Sequence, residues 1–169
     1  MADTVNRGKK FEKKILEAFK RENVYILRLP DPVFEAVRNP CDFIVYAHRR
    51  LILLECKSCH GTSYAFKHTN VDSSSGYQWQ AMLDAIQHDG VVSGYMIWFD
   101  DKDVTVFLPM DKLEDYVVTN NRKSINYQDA QEIGFVIGGT KKQIFYDYDM
   151  KEFIKYVGQY WWHLKRKSG

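Results

Sequence analysis

The sequence has few cysteines, few prolines, no long apolar run and almost no net charge, and each shortage excludes something. Three cysteines in 169 residues, an odd number, make no disulfide framework. No apolar stretch approaches the roughly 20 residues of a membrane-spanning helix, so no membrane partner is expected. The N-terminus is polar and charged and carries no signal-peptide pattern, which makes a cytoplasmic location the expectation. A net charge of +2 does not by itself identify a nucleic-acid binder. Gly138-Gly139-Thr140-Lys141 lacks the spacing of a phosphate-binding P-loop. Neither internal repeats nor a linker divides the chain, and residues 1–169 read as a single domain.

What is present points to a folded protein. Hydrophobic residues make up 45% and aromatics 15%, which excludes global disorder. The basic residues cluster, at Arg7, Lys9, Lys10, Lys13 and Lys14, at Arg122 and Lys123, and at Lys165, Arg166 and Lys167. Each cluster alone reads as a solvated face or tail; beside a carboxylate site it becomes a candidate for phosphate contacts. Phe11, Ile15, Ala18 and Phe19 predict a helix over 5–20, with Glu12 next to its apolar face. A strand over 24–29 ends at Pro30-Asp31-Pro32. After a β-hairpin, residues 58–76 read as polar and mostly irregular, and Trp79, Met82, Leu83 and Ile86 predict a helix over 77–88. Strands at 91–99 and 104–108 form a second hairpin, and Asp111 is placed to cap a helix through Val117. A polar loop over 120–126, a brief helix over 129–133, a strand at 135–137, a loop with Gly138-Gly139 and a strand at 144–146 follow, before a last helix over 150–164. This order suggests an α/β (mixed α+β) fold, a central mixed sheet flanked by helices.

The first hairpin carries the chemistry. Asp42-Phe43-Ile44-Val45-Tyr46 and Leu51-Ile52-Leu53-Leu54-Glu55-Cys56-Lys57 are two apolar runs around His48-Arg49-Arg50. Side chains alternate along a strand, so Glu55 and Lys57 share a face. Pairing across the hairpin brings Asp42, at the start of one strand, toward Glu55, near the end of the other. A solvated surface hairpin would place these charges in water, but the run Leu51 to Leu54 implies a strand covered on both faces. Buried charges are costly unless paired or bound to metal. Magnesium prefers oxygen ligands and is held by one or two carboxylates. Two carboxylates with a lysine supply a Lewis-acid site, an activated water and charge stabilisation, the parts that metal-assisted phosphodiester hydrolysis needs.

Cys56-Lys57-Ser58-Cys59-His60 competes as the CxxCH pattern of covalent haem attachment. Half of it lies at the end of a buried strand and no export signal accompanies it, so no haem is expected. Zinc on Cys56, Cys59 and His60 or His68 would lack the second knuckle of a structural site. The cysteines read instead as small buried residues, and the two histidines as loop residues. Trp79, Trp161 and Trp162 lie at helical spacing with other apolar residues and read as core or interface.

Gly8-Lys9-Lys10-Phe11-Glu12, Cys41-Asp42-Phe43, Leu54-Glu55-Cys56-Lys57-Ser58, Thr62-Ser63-Tyr64-Ala65-Phe66, Gln80-Ala81-Met82-Leu83 and Arg122-Lys123-Ser124-Ile125 occur in this order over most of the chain. Together they resemble the RecU family of Holliday junction resolvases, within the PD-(D/E)xK nuclease superfamily. The resemblance implies a restriction-endonuclease-like core and a magnesium-dependent endonuclease, with manganese as a substitute. Such an enzyme resolves four-way DNA in recombination and repair by symmetric cuts that leave 5′-phosphate and 3′-hydroxyl ends. Asp42, Glu55 and the Cys56 backbone carbonyl would ligate the metal, and Gln80 would complete the site. Lys57 would orient or activate the water, and Glu12 would help through a water. DNA contacts are expected from Arg7, Lys9, Lys10, Arg38, Ser63, Lys67, Arg122 and Lys123. The implied partners are four-way or branched DNA, a second copy in a homodimer, and recombination proteins.

Two departures stand out. Cys41 occupies a position where the family usually has threonine, and Leu29 to Asn39 leaves little room for the family's protruding stalk. A nuclease for other branched or linear DNA, and a junction-binding protein with little catalysis, are the alternatives.

Overall fold

A computed structural model of the chain describes residues 2–31, 38–66, 74–142 and 146–167, and side chains over 7–31, 38–66, 75–142 and 146–160. Helix α1 (Ala2–Arg21) buries Phe11, Ile15, Ala18 and Phe19, the expected stripe. Strands β1 (Tyr25–Arg28), β2 (Phe43–Ala47) and β3 (Arg50–Cys59) follow as an antiparallel meander. The β2–β3 turn is tighter than the predicted tripeptide. Arg50 already pairs with Ala47, leaving His48 and Arg49 at φ of 48° and 62°. Positive φ at both central residues is what a two-residue type I′ hairpin requires.

Residues 58–66 and 74–76 are more ordered than the polar, irregular reading of this segment predicts. β3 runs on to Cys59 because it pairs along its length with β5 (Val91–Phe99), ending at Cys59 opposite Phe99. A short strand β4 (Ser63–Ala65) pairs with β7 (Ser124–Asn126), within the predicted 120–126 loop. Helix α2 (Ser74–Ala85) begins inside the serine run and ends before His88. After β5, a single 3-10 turn over 100–102 leads into β6 (Val104–Pro109) and α3 (Met110–Thr119). Asp111 does not cap α3. No side chain caps its N-terminus, and the Asp111 carboxylate instead accepts the Tyr160 hydroxyl at 2.6 and 2.7 Å. Helix α4 (Tyr127–Ile133), β8 (Phe135–Val136), β9 (Gly139–Lys141), β10 (Tyr146–Tyr148) and α5 (Lys151–Lys167) complete the chain. β9 replaces the predicted Gly138-Gly139 loop. A Cβ on Gly139 would lie 2.4 Å from the Asp147 carbonyl oxygen, so glycine permits this pairing.

The main sheet has the order β1-β2-β3-β5-β6-β8. Among the described residues only β3 and β5 pair in parallel, joined by a crossover through β4 and α2. Helices cover both faces. On one, α1 and α5 pack Phe11, Ile15, Phe19, Phe153 and Val157 on Phe43, Val45, Ile52 and Leu54. On the other, α2, α3 and α4 pack Trp79, Met82, Leu113 and Ala130 around Leu53, Tyr95, Ile97 and Phe99. Among the described residues, no helix is long and apolar enough to cross a membrane.

Candidate active site

Strand pairing determines where the charges point. Phe43 lies opposite Leu54 and both enter the α1–α5 core, whereas Ile44 opposite Leu53 faces α2. By alternation Glu55 and Lys57 face the α2 side with Leu53 and Cys59. The Asp42 N–H donates to the Leu54 carbonyl at 3.1 Å, and Asp42 Oδ2 accepts the Cys56 N–H at 2.8 Å. The expected meeting of Asp42, Glu55 and Lys57 is thus present in the fold.

Glu55 is wholly buried, and burial pushes its carboxyl up to about 7, with Lys57 opposing and Asp42 reinforcing the shift. Its Oε1 pairs with Lys57 Nζ, and its Oε2 accepts the Gln78 amide at 3.0 Å. Burial also raises Asp42, against the lowering pull of the Cys56 N–H and Lys57. Burial works to lower Lys57, but Glu55 together with Tyr64 and Asp42 outweighs it, and the ammonium is held charged. Tyr64, Phe66, Trp79 and Tyr95 form a cluster of neighbouring rings on this face, with centroids 5.2–6.1 Å apart. Tyr95 lies beside Glu55 in the β3–β5 register.

The structure does not bring Gln80 to these acids. Gln80 is exposed and its amide donates to Asp84 at 2.8 Å, while Gln78 reaches Glu55. Gln78 precedes the fully buried Met82 by four residues and so shares its helix face. That spacing was the available signal. Tyr64 was also missed, since a three-residue strand in a polar segment gives little periodicity. Glu12 reaches the edge of the site held by Arg28, whose Nη2 and Nε donate to it at 2.8 and 3.1 Å.

The expected DNA contacts are dispersed. Arg7 pairs with Asp100 at 2.7 Å and Lys9 lies 3.9 Å from Asp31. Lys10 is exposed on α1, and the Arg38 guanidinium lies 5.8 Å from the centre of the Tyr77 ring. The Ser63 hydroxyl donates to the Ile125 carbonyl at 3.2 Å. Arg122 approaches Asp129 at 4.0 Å, and the exposed Lys123 accepts the Phe66 N–H at its carbonyl. Lys67 and His68 lie outside the described residues, as do the side chains of Trp161, Trp162, Lys165, Arg166 and Lys167.

Cys56 and Cys59 enter opposite cores, because an odd separation along a strand reverses the side chain. One zinc or haem cannot be held by both. Cys41 is buried, its thiol donating to the Phe43 carbonyl at 3.2 Å, and burial pushes that thiol up to about 12. A second polar cluster joins His60, Asp100 and Asp101, with ligand-type atoms within 4.8 Å of one another. The Arg7 guanidinium already lies against it, 3.1 Å from His60 Nδ1.

No family model and no curated protein matches the chain. Among solved structures, Hjc, a Holliday junction resolvase from the archaeal hyperthermophile Archaeoglobus fulgidus, matches with a TM-score of 0.54. The match covers 76% of this chain and 94% of that one at 15% identity. A likeness at that identity is one of fold, and this chain has the restriction-endonuclease-like fold, a central mixed sheet flanked by helices.

Proposed function

We propose that the protein is a magnesium-dependent endonuclease of the RecU kind that resolves Holliday junctions as a homodimer. The observation that carries it is the pair Asp42 and Glu55, with Lys57, on one face of the β2–β3 hairpin in a fold shared with a resolvase. The donor set fits a hard cation. Burial raises both carboxylates even though Lys57 pulls both down, so the pair favours a further cation beside them. Asp42, Glu55 and the Cys56 carbonyl would hold magnesium or manganese. Bound there, the metal supplies Lewis-acid polarisation of the phosphodiester and lowers the pKa of the attacking water.

The protein's own groups do the rest. Lys57 orients the water and offers its ammonium to the charge that develops on the phosphate. Gln78, in place of Gln80, fixes the Glu55 carboxylate through its amide. Glu12, held by Arg28, contributes through a water at the edge of the site. The ring cluster lowers the local dielectric on that side, which strengthens the charge interactions of the buried Glu55.

A two-fold dimer suits a four-way junction because two symmetric cuts are required. A candidate surface is the edge of the sheet. Tyr25, Tyr46 and Leu51 stand in register across β1, β2 and β3 and are 61%, 52% and 38% exposed. Leu27 adds to them at 43%. An exposed in-register apolar strip beside an edge strand is what a protein interface covers.

The short segment from Leu29 to Asn39 favours one alternative, a nuclease without junction selectivity. Cleavage of a synthetic four-way junction and of linear duplex of the same sequence, in magnesium, separates the two. Preferential, paired cuts in the junction bearing 5′-phosphates are expected. Equal cutting of both substrates would leave only the general nuclease.

A further inference from the structure

The opposite face of the sheet carries a feature that catalysis does not use. A cavity of about 300 Å³ opens between α1 and strands β5 and β10. Its wall is a chain of rings. Trp98 stacks on Phe11 with centroids 5.9 Å apart and planes at 28°, Phe11 meets Tyr148 edge-on at 5.9 Å, and Tyr148 lies 5.0 Å from Tyr146. Phe11 and Tyr148 are buried, whereas Trp98 and Tyr146 are half-buried and keep ring surface on the opening. Trp98 lies beside Ser58 in the β3–β5 register, and by alternation it points away from the face of Glu55 and Lys57.

The rim is basic. Arg7, Lys10, Lys13 and Lys14 all line it from α1. Asp100 neutralises Arg7 and Glu17 neutralises Lys14, but Lys10 and Lys13 form no ion pair among the described residues. Two uncompensated ammonium groups above an aromatic wall complement an anion that carries a flat ring. The volume is at the lower end of ligand pockets, which suits one base and its sugar. Lys10 and Lys13 stand roughly 4.5 Å apart along the helix axis at about 1.5 Å per residue, and the paired Arg7 and Lys14 extend the basic row to roughly 10 Å. That is longer than a single phosphate group and favours a strand over a free nucleotide.

We propose that this cavity receives one unpaired nucleotide of a DNA strand, its base against Trp98 and Tyr146 and its phosphates on Lys10 and Lys13. Rings beside a cationic track are how proteins hold single strands without reading sequence. Only the choice of DNA as the source rests on the nuclease reading.

The test reads binding without cleavage. Full-length protein in EDTA is titrated against a fluorescent oligothymidylate and against a blunt duplex of equal length, by anisotropy. Loss of one base-stacking partner costs about 5- to 150-fold. Tyr146→Leu is therefore expected to weaken single-strand binding at least fivefold and to leave duplex binding within twofold. Lys10→Gln with Lys13→Gln, both exposed, is expected to weaken single-strand binding and to flatten its salt dependence by roughly 0.7 per lost phosphate contact. Lys20→Gln, exposed farther along α1, is expected to change neither. Single-strand affinity unchanged in Tyr146→Leu, or single strand and duplex weakened equally, would overturn the proposal. So would displacement of the strand by thymidine monophosphate at concentrations matching those of unlabelled oligonucleotide. Failure of the nuclease reading appears separately, as intact binding with no junction cleavage.

Discussion

Glu55 is a wholly buried acid paired with Lys57 and Gln78. Its folded-state pKa, raised by burial from 4.5 to about 7, has a sign that can be tested. The folded state keeps a proton that the unfolded chain releases, so the contribution to stability is present below about 4.5 and is lost as pH rises through about 7. Asp42 is raised too and acts in the same direction. Metal-free protein is expected to lose stability between pH 5 and pH 8, by up to about 3 kcal/mol from Glu55 at 1.36 kcal/mol per unit. Urea denaturation at the two pH values checks this. The loss should shrink in Glu55→Gln and on adding magnesium to wild type at pH 8. An equal loss in wild type and Glu55→Gln would show that the acid is not strained. The two glutamines give a second test. Gln78→Ala removes a donor from a proposed metal-ligating carboxylate and is expected to lower cleavage about 10- to 100-fold. Gln80→Ala, on the exposed face, is expected to stay within about threefold; the reverse ranking would restore Gln80 to the site. Asp42, Glu55 and Lys57 were legible in the sequence because a period of two and one turn determine which side chains meet. Gln78 depends on a helix phase that a serine run conceals, and the pairing of Arg7 with Asp100 joins residues with no local pattern between them.

The long elements were the legible ones. β5 is buried along nearly its whole length and announced itself as an apolar run from Val91 to Phe99. β4 and β7 are three residues each, with Tyr64 opposite Ile125 between polar neighbours, too short for a period of two to mark them as strands. The hairpin is legible in its two apolar runs, but its turn is one residue shorter than His48-Arg49-Arg50 suggests, since two non-glycine residues with positive φ leave no glycine signature. Gly94 tests the packing of the central strands. A Cβ there would lie 2.4 Å from the Leu108 carbonyl oxygen and 2.6 Å from the Phe107 ring. Because the obstacle includes the backbone of β6, Gly94→Ala is expected to cost about 1–3 kcal/mol. Gly138→Ala, whose Cβ would meet nothing within 4 Å, is expected to change stability by no more than about 0.5 kcal/mol. Thermal melts of the two variants compare them directly, and equal stability would mean that β5 and β6 separate more easily than their register implies.

At the scale of the molecule, the order of elements was enough to give a mixed sheet with helices on both faces, since the β3–α2–β5 crossover forces one parallel pair into an antiparallel sheet. The family resemblance implies a homodimer, but no docking surface was legible, because an apolar strip alternates along strands like any half-covered face. If the proposed dimer uses the Tyr25–Tyr46–Leu51 strip, Leu27→Glu with Tyr46→Glu should yield a folded monomer by light scattering. A dimer that survives both charges would place the interface elsewhere. Phosphate contacts should make DNA binding strongly salt-dependent whichever substrate is preferred, so salt alone does not distinguish a resolvase from a binding protein. The most direct measurement is cleavage of a synthetic four-way junction by wild type and Glu55→Gln, in magnesium and in calcium. Paired cuts are expected from wild type in magnesium, binding without cuts in calcium, and no cuts from Glu55→Gln with junction binding retained. Wild type and Glu55→Gln leaving the junction equally intact in magnesium, or cutting it equally, would contradict a catalytic site at Asp42, Glu55 and Lys57.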